Sequence, residues 1–420
     1  MKYAFILKAV FHSISHRKFS VFTSVFAISA AFAFLAAIGC VSFGLAATAV
    51  NSSLAFPLIV GPAGASDTTL VMSTLFNTDK PAGTLDYEVA EKLAGDERVS
   101  AVFPIARSDS YMGIPITGVE SSYINEITSG FSEIDKNAKT DDIFGENGKN
   151  CAVLGAKTAA RYEMTVGDTF FGSHGSVGDE EAHLHDFGYK VCAVMKAVNG
   201  PEDFAIFTNL RSVWKIHEHG HHQHHEEAEA EEHEYEHSPE GKITAVLVKT
   251  KNPVFTAALE REYSENGFTS ATDTGRTVRK LLTYMNKAEK AAGFFSYGTL
   301  FLVLTMVFVT ILTSINERKR EMALMRTLGI GKLPISLMIF LELFFISVFG
   351  IAFGTLGGHA VLAIFKPVID FELGINLEPF FFTEIELRGA LYTIIAGAAL
   401  SIAAMLKIYR MDLVEEISKE

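Results

Sequence analysis

The chain has 420 residues, of which 49% are hydrophobic, and a net charge of −13. It is too apolar for a wholly soluble protein and long enough for two or three domains. There is no basic stripe and no aromatic-basic interleaving, which excludes nucleic acid as a partner.

Residues 1–18 carry Lys2, Lys8, Arg17 and Lys18 without an acid, and read as a cytoplasmic N-terminus. Residues 19–50 contain no Asp, Glu, Lys or Arg. They read as transmembrane helix 1. The run exceeds the roughly 20 residues a bilayer needs, so its end is expected to continue as a stalk. It is also too long for the core of a cleaved signal peptide.

Residues 51–290 read as an extracytoplasmic α+β domain of two subdomains. Strand-like alternation appears in "SAVFPIAR", "GIPITGV", "CAVLG", "YKVCAVM" and "ITAVLVKT", and helical periodicity in "TLDYEVAEKLAG" and "PVFTAALEREYSENG". Cys151 and Cys192 each sit in a strand-like run, and Cys40 lies in the first span. In an oxidising compartment Cys151 and Cys192 can pair; two buried free thiols is the equal alternative.

Two polar insertions interrupt this domain. Residues 172–186 hold His174, His183 and His185. Residues 217–237, "HEHGHHQHHEEAEAEEHEYEH", hold His217, His219, His221, His222, His224, His225, His233 and His237 among eight acids. "HEHGH" satisfies the H-E-x-x-H protease pattern, but such a run generates that pattern by composition, and Gly220 breaks the helix it requires. Clustered neutral imidazoles suit zinc or another divalent transition metal, and the carboxylates lower the electrostatic cost of capturing it. The plainer alternative is a solvated loop, since acids at 227 and 231, and at 232 and 236, repel one another on a helix.

Residues 291–316 are uncharged and read as transmembrane helix 2. Residues 317–334 form a net-basic cytoplasmic segment with Arg318, Lys319, Arg320, Arg326 and Lys332. Met322, Leu324, Met325 and Leu328 are read there as one apolar stripe, with Arg318, Glu321 and Arg326 solvated. Such a helix suits a partner's groove or the lipid headgroups. Residues 335–363 read as transmembrane helix 3. Glu342 near its start is a functional candidate as an ionisable group at that depth, and its plainer reading is a structural group that snorkels or accepts a hydrogen bond from a neighbouring helix. Gly350, Gly354 and Gly358 recur every fourth residue, a spacing that lets helices approach closely, within the chain or across a dimer. His359 is read as a helix-end histidine. An acidic outer loop over 364–386, transmembrane helix 4 over 387–408 and a cytoplasmic tail over 409–420 complete a membrane protein with four spans and both termini inside.

The segment "SINERKREMALMRTLGIGKLPISLMIFLELFF" resembles the MacB/FtsX-type ABC permeases, in which an "ER-x-x-E" turn precedes "R-x-L-G" and a span carrying an acid. The matching residues are Glu317, Arg318, Glu321, Arg326, Leu328, Gly329 and Glu342. "CAVLGAKTAARYEMTVGDTFFG", "DFGYKVCAVMKAVNGPEDFAIFTNLRSVWKI" and the tail "MLKIYRMDLVEEISKE" resemble further family segments in the same order. The resemblance implies a bacterial inner-membrane subunit with a periplasmic domain, dimerised with a second copy or a related permease, and not itself an enzyme. No G-x-x-x-x-G-K-[ST] occurs in the sequence, so ATP enters only through a separate cytosolic ABC ATPase, with Glu317, Arg318, Glu321, Arg326 and Gly329 as coupling residues. With the histidine run, the expectation is zinc-linked transport or homeostasis. The alternative is a lipoprotein-releasing or small-molecule export permease, with a periplasmic or lipoprotein partner, whose run senses metal.

Overall fold

The structure, a computed structural model, describes residues 8–410 apart from 9, 13, 17, 136–142, 145–149, 175–183, 220–240 and 318. At 108, 174, 184–187, 215–219, 307, 310–311, 313–317, 319–321, 323, 404 and 407–410 only the backbone is described. The described residues fall into two compact units. The membrane unit draws on residues up to Gly44, on Tyr284–Val368 and on the chain from Leu377 onward; the outer unit comprises Leu45–Thr283 and Ile369–Asn376.

Helix α1 spans Lys18–Ala55 and the outer unit then begins with β1 (Leu58–Pro62) and α2 (Asp67–Thr74). There follow β2 (Leu85–Asp86), α3 (Glu88–Ala94), β3 (Val99–Tyr111), β4 (Ile114–Val119), α4 (Ser121–Ile127), β5 (Phe131–Ile134), β6 (Cys151–Leu154) and α5 (Ala156–Arg161). Next come β7 (Thr169–His174), β8 (Leu184–Met195), a 3-10 turn over Pro201–Phe204, β9 (Ile206–Asn209), α6 (Leu210–His219), β10 (Lys242–Ile243), β11 (Ala245–Thr250), α7 (Pro253–Glu265) and β12 (Thr269–Asp273). Among the described residues four helices follow: α8 (Thr274–Glu317), α9 (Lys319–Thr327), α10 (Lys332–Leu373) and α11 (Glu384–Arg410).

Among the described residues, ten strands form one sheet in the order β12-β1-β11-β3-β4-β9-β6-β8-β5, with β7 alongside β3 and β8. The expected division into two subdomains is therefore not what is observed: the 13-residue β3 pairs with β11 along its first half and with β4 along its second, joining both halves. Both faces of the first half are covered. Leu58, Val60, Val246 and Val248 enter one apolar cluster, while the alternating Ile59, Ala245 and Leu247 enter another, as the two-residue period of a strand dictates.

Strands β6 and β8 run parallel, with Ala152 opposite Val191 and Val153 opposite Ala193. Cys192 is thus the extra residue of a bulge, and it forms a disulfide with Cys151 across the pair, Cα to Cα 5.5 Å. Of the two alternatives left open by the sequence, the paired one is observed. The polar insertion expected over 172–186 is partly strand: β7 and β8 pair as an antiparallel hairpin with Ser173 opposite Leu184.

In the membrane unit, Ile28, Phe32 and Leu35 of α1 pack with Leu300 and Leu304 of α8 and with Ile335, Ile339, Leu343 and Ile346 of α10. The spacing of three and four is that of one helix face turned inward. Among the described residues three helices are long and apolar enough to cross a membrane: α1, α10 and, within α11, Glu384–Ala403. Four spans were expected. The missing one, residues 291–316, is helical within α8, and its last turns fall among residues without described side chains. Helix α10 also runs well past the expected limit of 363, through Pro367 to Leu373.

Candidate functional site

The candidate site is the connection between α8 and α10. Helix α9 ends where the N–H of Gly329 donates to Arg326 O (3.0 Å) and that of Ile330 donates to Met325 O (3.0 Å). Two such bonds require a left-handed residue between them, and Gly329 has φ of +86°. Met325 and Ile330, the two positions that an apolar contact commonly joins at such a cap, both pack against the membrane core. The "R-x-L-G" sequence is thus a helix stop that fixes the elbow into α10.

Met322 is buried in the same core, whereas Leu324 and Leu328 are 55% and 81% exposed. The single stripe expected from sequence is therefore two pairs, Met322 and Met325 anchoring α9 and Leu324 and Leu328 exposed. Arg326 is partly buried. The side chains of Glu317, Arg318 and Glu321 lie outside the described residues.

Below this elbow, α10 packs on α1 through its glycines. A Cβ at Gly350 would lie 2.6 Å from Ile28 Cβ, one at Gly354 2.6 Å from Ser29 O, and one at Gly358 2.7 Å from Ala33 Cα. Ser29 Oγ donates to Gly350 O at 3.1 Å in the same seam. The glycine row thus serves a contact within the chain. Glu342 is buried, 4% exposed. His359 is not at a helix end: it is buried inside α10, which continues to Leu373.

The histidine run is only partly described. His217 and His219 extend α6, so the run does not begin as a loop. His183, His221, His222, His224, His225, His233 and His237 lie outside the described residues, and His174 and His185 have described backbone only, in β7 and β8. Among the described residues no group of three or more His, Cys, Asp or Glu could hold a metal.

The outer unit contains a contact that sequence reading missed. Residues 369–376, the last turn of α10 and the residues after it, dock against α5 and the 201–204 turn. Lys157 Nζ donates to the fully buried Asp370 at 2.6 Å. The Phe371 ring meets Tyr162 and Phe204 at 6.0 and 6.1 Å, and Arg161 stacks over it at 5.4 Å. An acid followed by an aromatic at the end of an apolar run, "VIDFEL", was the available signal. Next to this contact, burial pushes the Glu202 carboxyl up to about 7, with the adjacent Asp203 adding to the rise. Burial also raises Asp203, against the N–H groups of Val198 and Asn199 that it accepts at 2.9 and 2.8 Å.

Among curated proteins none matches the chain. Solved structures give weak likenesses. The periplasmic region of MacB from Actinobacillus actinomycetemcomitans is 10% identical with a TM-score of 0.34, covering 56% of this chain and 97% of that one. The extracellular domain of the ABC-type transporter YknZ from Gram-positive bacteria is 12% identical with a TM-score of 0.30, covering 51% and 99%. Neither bears on the assignment at these scores. The MacB-like periplasmic core domain family matches residues 21–265, and the FtsX-like permease C-terminal family matches residues 293–413. The first match alone exceeds half of the sequence and the second follows it in order, so the chain belongs to the MacB/FtsX-type family of ABC transporter permeases.

Proposed function

We propose that this chain is the non-catalytic membrane subunit of an ABC complex in the bacterial inner membrane, with its outer unit in the periplasm and a separate cytosolic ATPase seated on α9. A second copy or a related permease completes the dimer, and a periplasmic or lipoprotein partner engages the outer unit. The carrying observation is the pair Leu324 and Leu328, exposed on a helix whose Met322/Met325 face and C-terminal cap are fixed to the membrane core. A short amphipathic helix presented rigidly is what a partner's groove receives. Replacing Leu324 and Leu328 with Ser, or Glu321 and Arg326 with Ala, should leave the protein inserted and dimeric while reducing co-purification of the ATPase and stimulated ATP hydrolysis. Unchanged assembly and hydrolysis in both double variants would mean that α9 merely lies on the membrane surface.

We further propose that the complex serves zinc-linked (divalent metal) transport or homeostasis. The support is the sequence of residues 217–237, with His174, His183 and His185 as a secondary cluster. Imidazoles must be neutral to ligate. Zinc binding by the full chain should therefore weaken between about pH 7.5 and pH 5.5, a range over which carboxylates alone would hold their affinity. Calorimetric titration should show most of that binding lost on deletion of residues 217–237. Equal binding by the deleted chain would remove the run from the proposal. The competing reading is a lipoprotein-releasing or small-molecule export permease whose run senses metal. It gains if the deletion abolishes a zinc response while transport continues.

A further inference from the structure

Where α10, α11 and α1 meet in the membrane unit, three chemistry-bearing side chains are buried together: His359 and Cys40 are each 1% exposed and Glu386 is 4% exposed. His359 Nδ1 lies 2.5 Å from Pro379 O, and its Nε2 lies 2.9 Å from Glu386 Oε2. The other carboxylate oxygen of Glu386 accepts from Thr383 N at 3.1 Å and from Thr383 Oγ1 at 2.7 Å. Thr383 precedes α11, so "TEIE" is a Thr-x-x-Glu capping box whose glutamate also reaches across to α10. Cys40 Sγ donates to Phe381 O at 3.3 Å and lies 3.9 Å from His359 Nδ1.

The geometry fixes the number of protons. A carbonyl oxygen only accepts, so Nδ1 must carry hydrogen toward Pro379. At 2.9 Å, Nε2 and Oε2 cannot face each other as two lone pairs, so one proton lies between them. It sits either on the imidazole beside a carboxylate or on the carboxyl beside a neutral imidazole. The pair is neutral with that proton and carries a net negative charge without it, in surroundings that penalise a buried charge. A metal does not fit this cluster: Cys40 approaches the Nδ1 edge of the ring and Glu386 the opposite Nε2 edge, and both nitrogens are engaged.

The other groups around the pair leave this count unchanged. On α10, Lys366 Nζ donates to Leu377 O. On α11, Glu384 and Arg388 pair with each other at the exposed surface. In the connecting loop Glu378 is exposed, and Phe382 sets its ring 4.8 Å from the imidazole. From α8, Tyr297 Oη donates to Ile385 O at 3.2 Å, and from α1 the uncharged Gly39, Cys40 and Phe43 meet Thr383, His359 and Phe381.

We propose that His359 and Glu386 form a binding site for a single proton, and that this proton latches the 377–383 loop and the start of α11 onto α10. The latch is closed while the proton is bound and is released as pH rises and the proton leaves. Residues 369–376, which belong to the outer unit, run straight into this loop. The proton therefore sets how firmly the chain leaving that unit is tied to the spans.

Cys40 is a built-in reporter, since the other two cysteines are joined in the disulfide. The experiment is the rate of N-ethylmaleimide labelling of the full-length protein in detergent between about pH 5 and pH 9.5. The comparison is Glu386→Gln, whose amide can donate to Nε2 while its oxygen accepts from Thr383, keeping each hydrogen bond without a titratable proton. Dividing wild type by this variant cancels the reagent's own pH dependence and the part of the thiol's ionisation that does not depend on Glu386, whose negative charge can only slow labelling of wild type. The ratio should be flat at low pH and rise by about threefold or more as pH increases. A ratio constant within about twofold across the range overturns the proposal. His359→Phe, which abolishes the latch, should label at least about fivefold faster than wild type at pH 6. Labelling as slow as wild type would also overturn it. If that variant does not fold, shown by a missing disulfide or aggregation, the Glu386→Gln ratio decides alone.

Discussion

Replacing Cys151 with Ser and Cys192 with Ala should destabilise the outer unit by an amount that follows from the spacing of the two residues. The cross-link closes a ring across a separation of 41 residues. Loop-closure entropy for a ring of that size gives ~4 kcal/mol of constraint on the unfolded chain. With a urea dependence of about 2–3 kcal/mol per M for a domain of this size, the midpoint should fall by about 1.5 M. The chain's one tryptophan makes the measurement local. Trp214 Nε1 donates to Lys242 O at 2.6 Å and its ring meets Tyr87 edge-on at 5.6 Å, so its emission reports the outer unit. Urea titration of the full-length protein in detergent, followed at that emission, is the assay. A midpoint shift below about 0.3 M would refute the reasoning, because the enclosed segment would then be restrained in the unfolded chain without the bond.

Gly354→Leu should destabilise the membrane unit by more than the ~1–3 kcal/mol typical of overpacking, since the obstructing atoms include backbone at Ser29. Gly357→Ala, with nothing within 4 Å of the new Cβ, should be neutral or stabilising, and thermal melting of the two variants compares them directly. For Glu202 the folded carboxyl titrates at about 7 against an ordinary 4.5, so between those values the folded chain keeps a proton that the unfolded chain has lost. Stability therefore falls as pH rises through that window, and Glu202→Gln should gain at most ~3 kcal/mol at pH 8 and nothing at pH 4 in the Trp214 assay. Equal gains at both pH values would discount the titration. Single cysteines introduced near Ser238 and Glu378 should react with a membrane-impermeant thiol reagent in intact spheroplasts, and one near Lys319 only after permeabilisation; labelling at Lys319 from outside would invert the topology.

The spans were legible because charge-free length is a one-dimensional property, and α1 and α10 needed no partner to be recognised. The face of α9 was legible in principle and misread. At 3.6 residues per turn, Met322 and Met325 lie about 60° apart, Leu324 and Leu328 about 40° apart, and the centres of the two pairs about 110° apart. Counting apolar residues without that rotation merged an anchor with an exposed surface. The pairing of Cys151 with Cys192 was not decidable, because it depends on a bulge in β8 that shifts register by one residue. The latch was half visible: Thr-x-x-Glu marks a helix start, but the reach of Glu386 to His359 is a tertiary fact. The length of α10 was underestimated because the charged residues from Lys366 onward, Asp370 and Glu372 among them, read as an outer loop, whereas the helix runs through them.

That unbroken length has a consequence of its own. Helix α10 is 42 residues, about 63 Å at 1.5 Å per residue, and along it sit the glycine row, His359, Asp370 and Phe371. A continuous helix acts as a ruler with an angular scale, on which one residue more or less turns everything beyond it by about 100°. Removing one residue between Glu342 and Gly350 would leave Ile335 and Ile339 in the membrane core but turn Gly350, Gly354 and Gly358 off the seam with α1, and His359 away from Glu386. Many substitutions in that interval can keep the phase; no single insertion or deletion can. The interval should therefore vary in composition far more freely than in count.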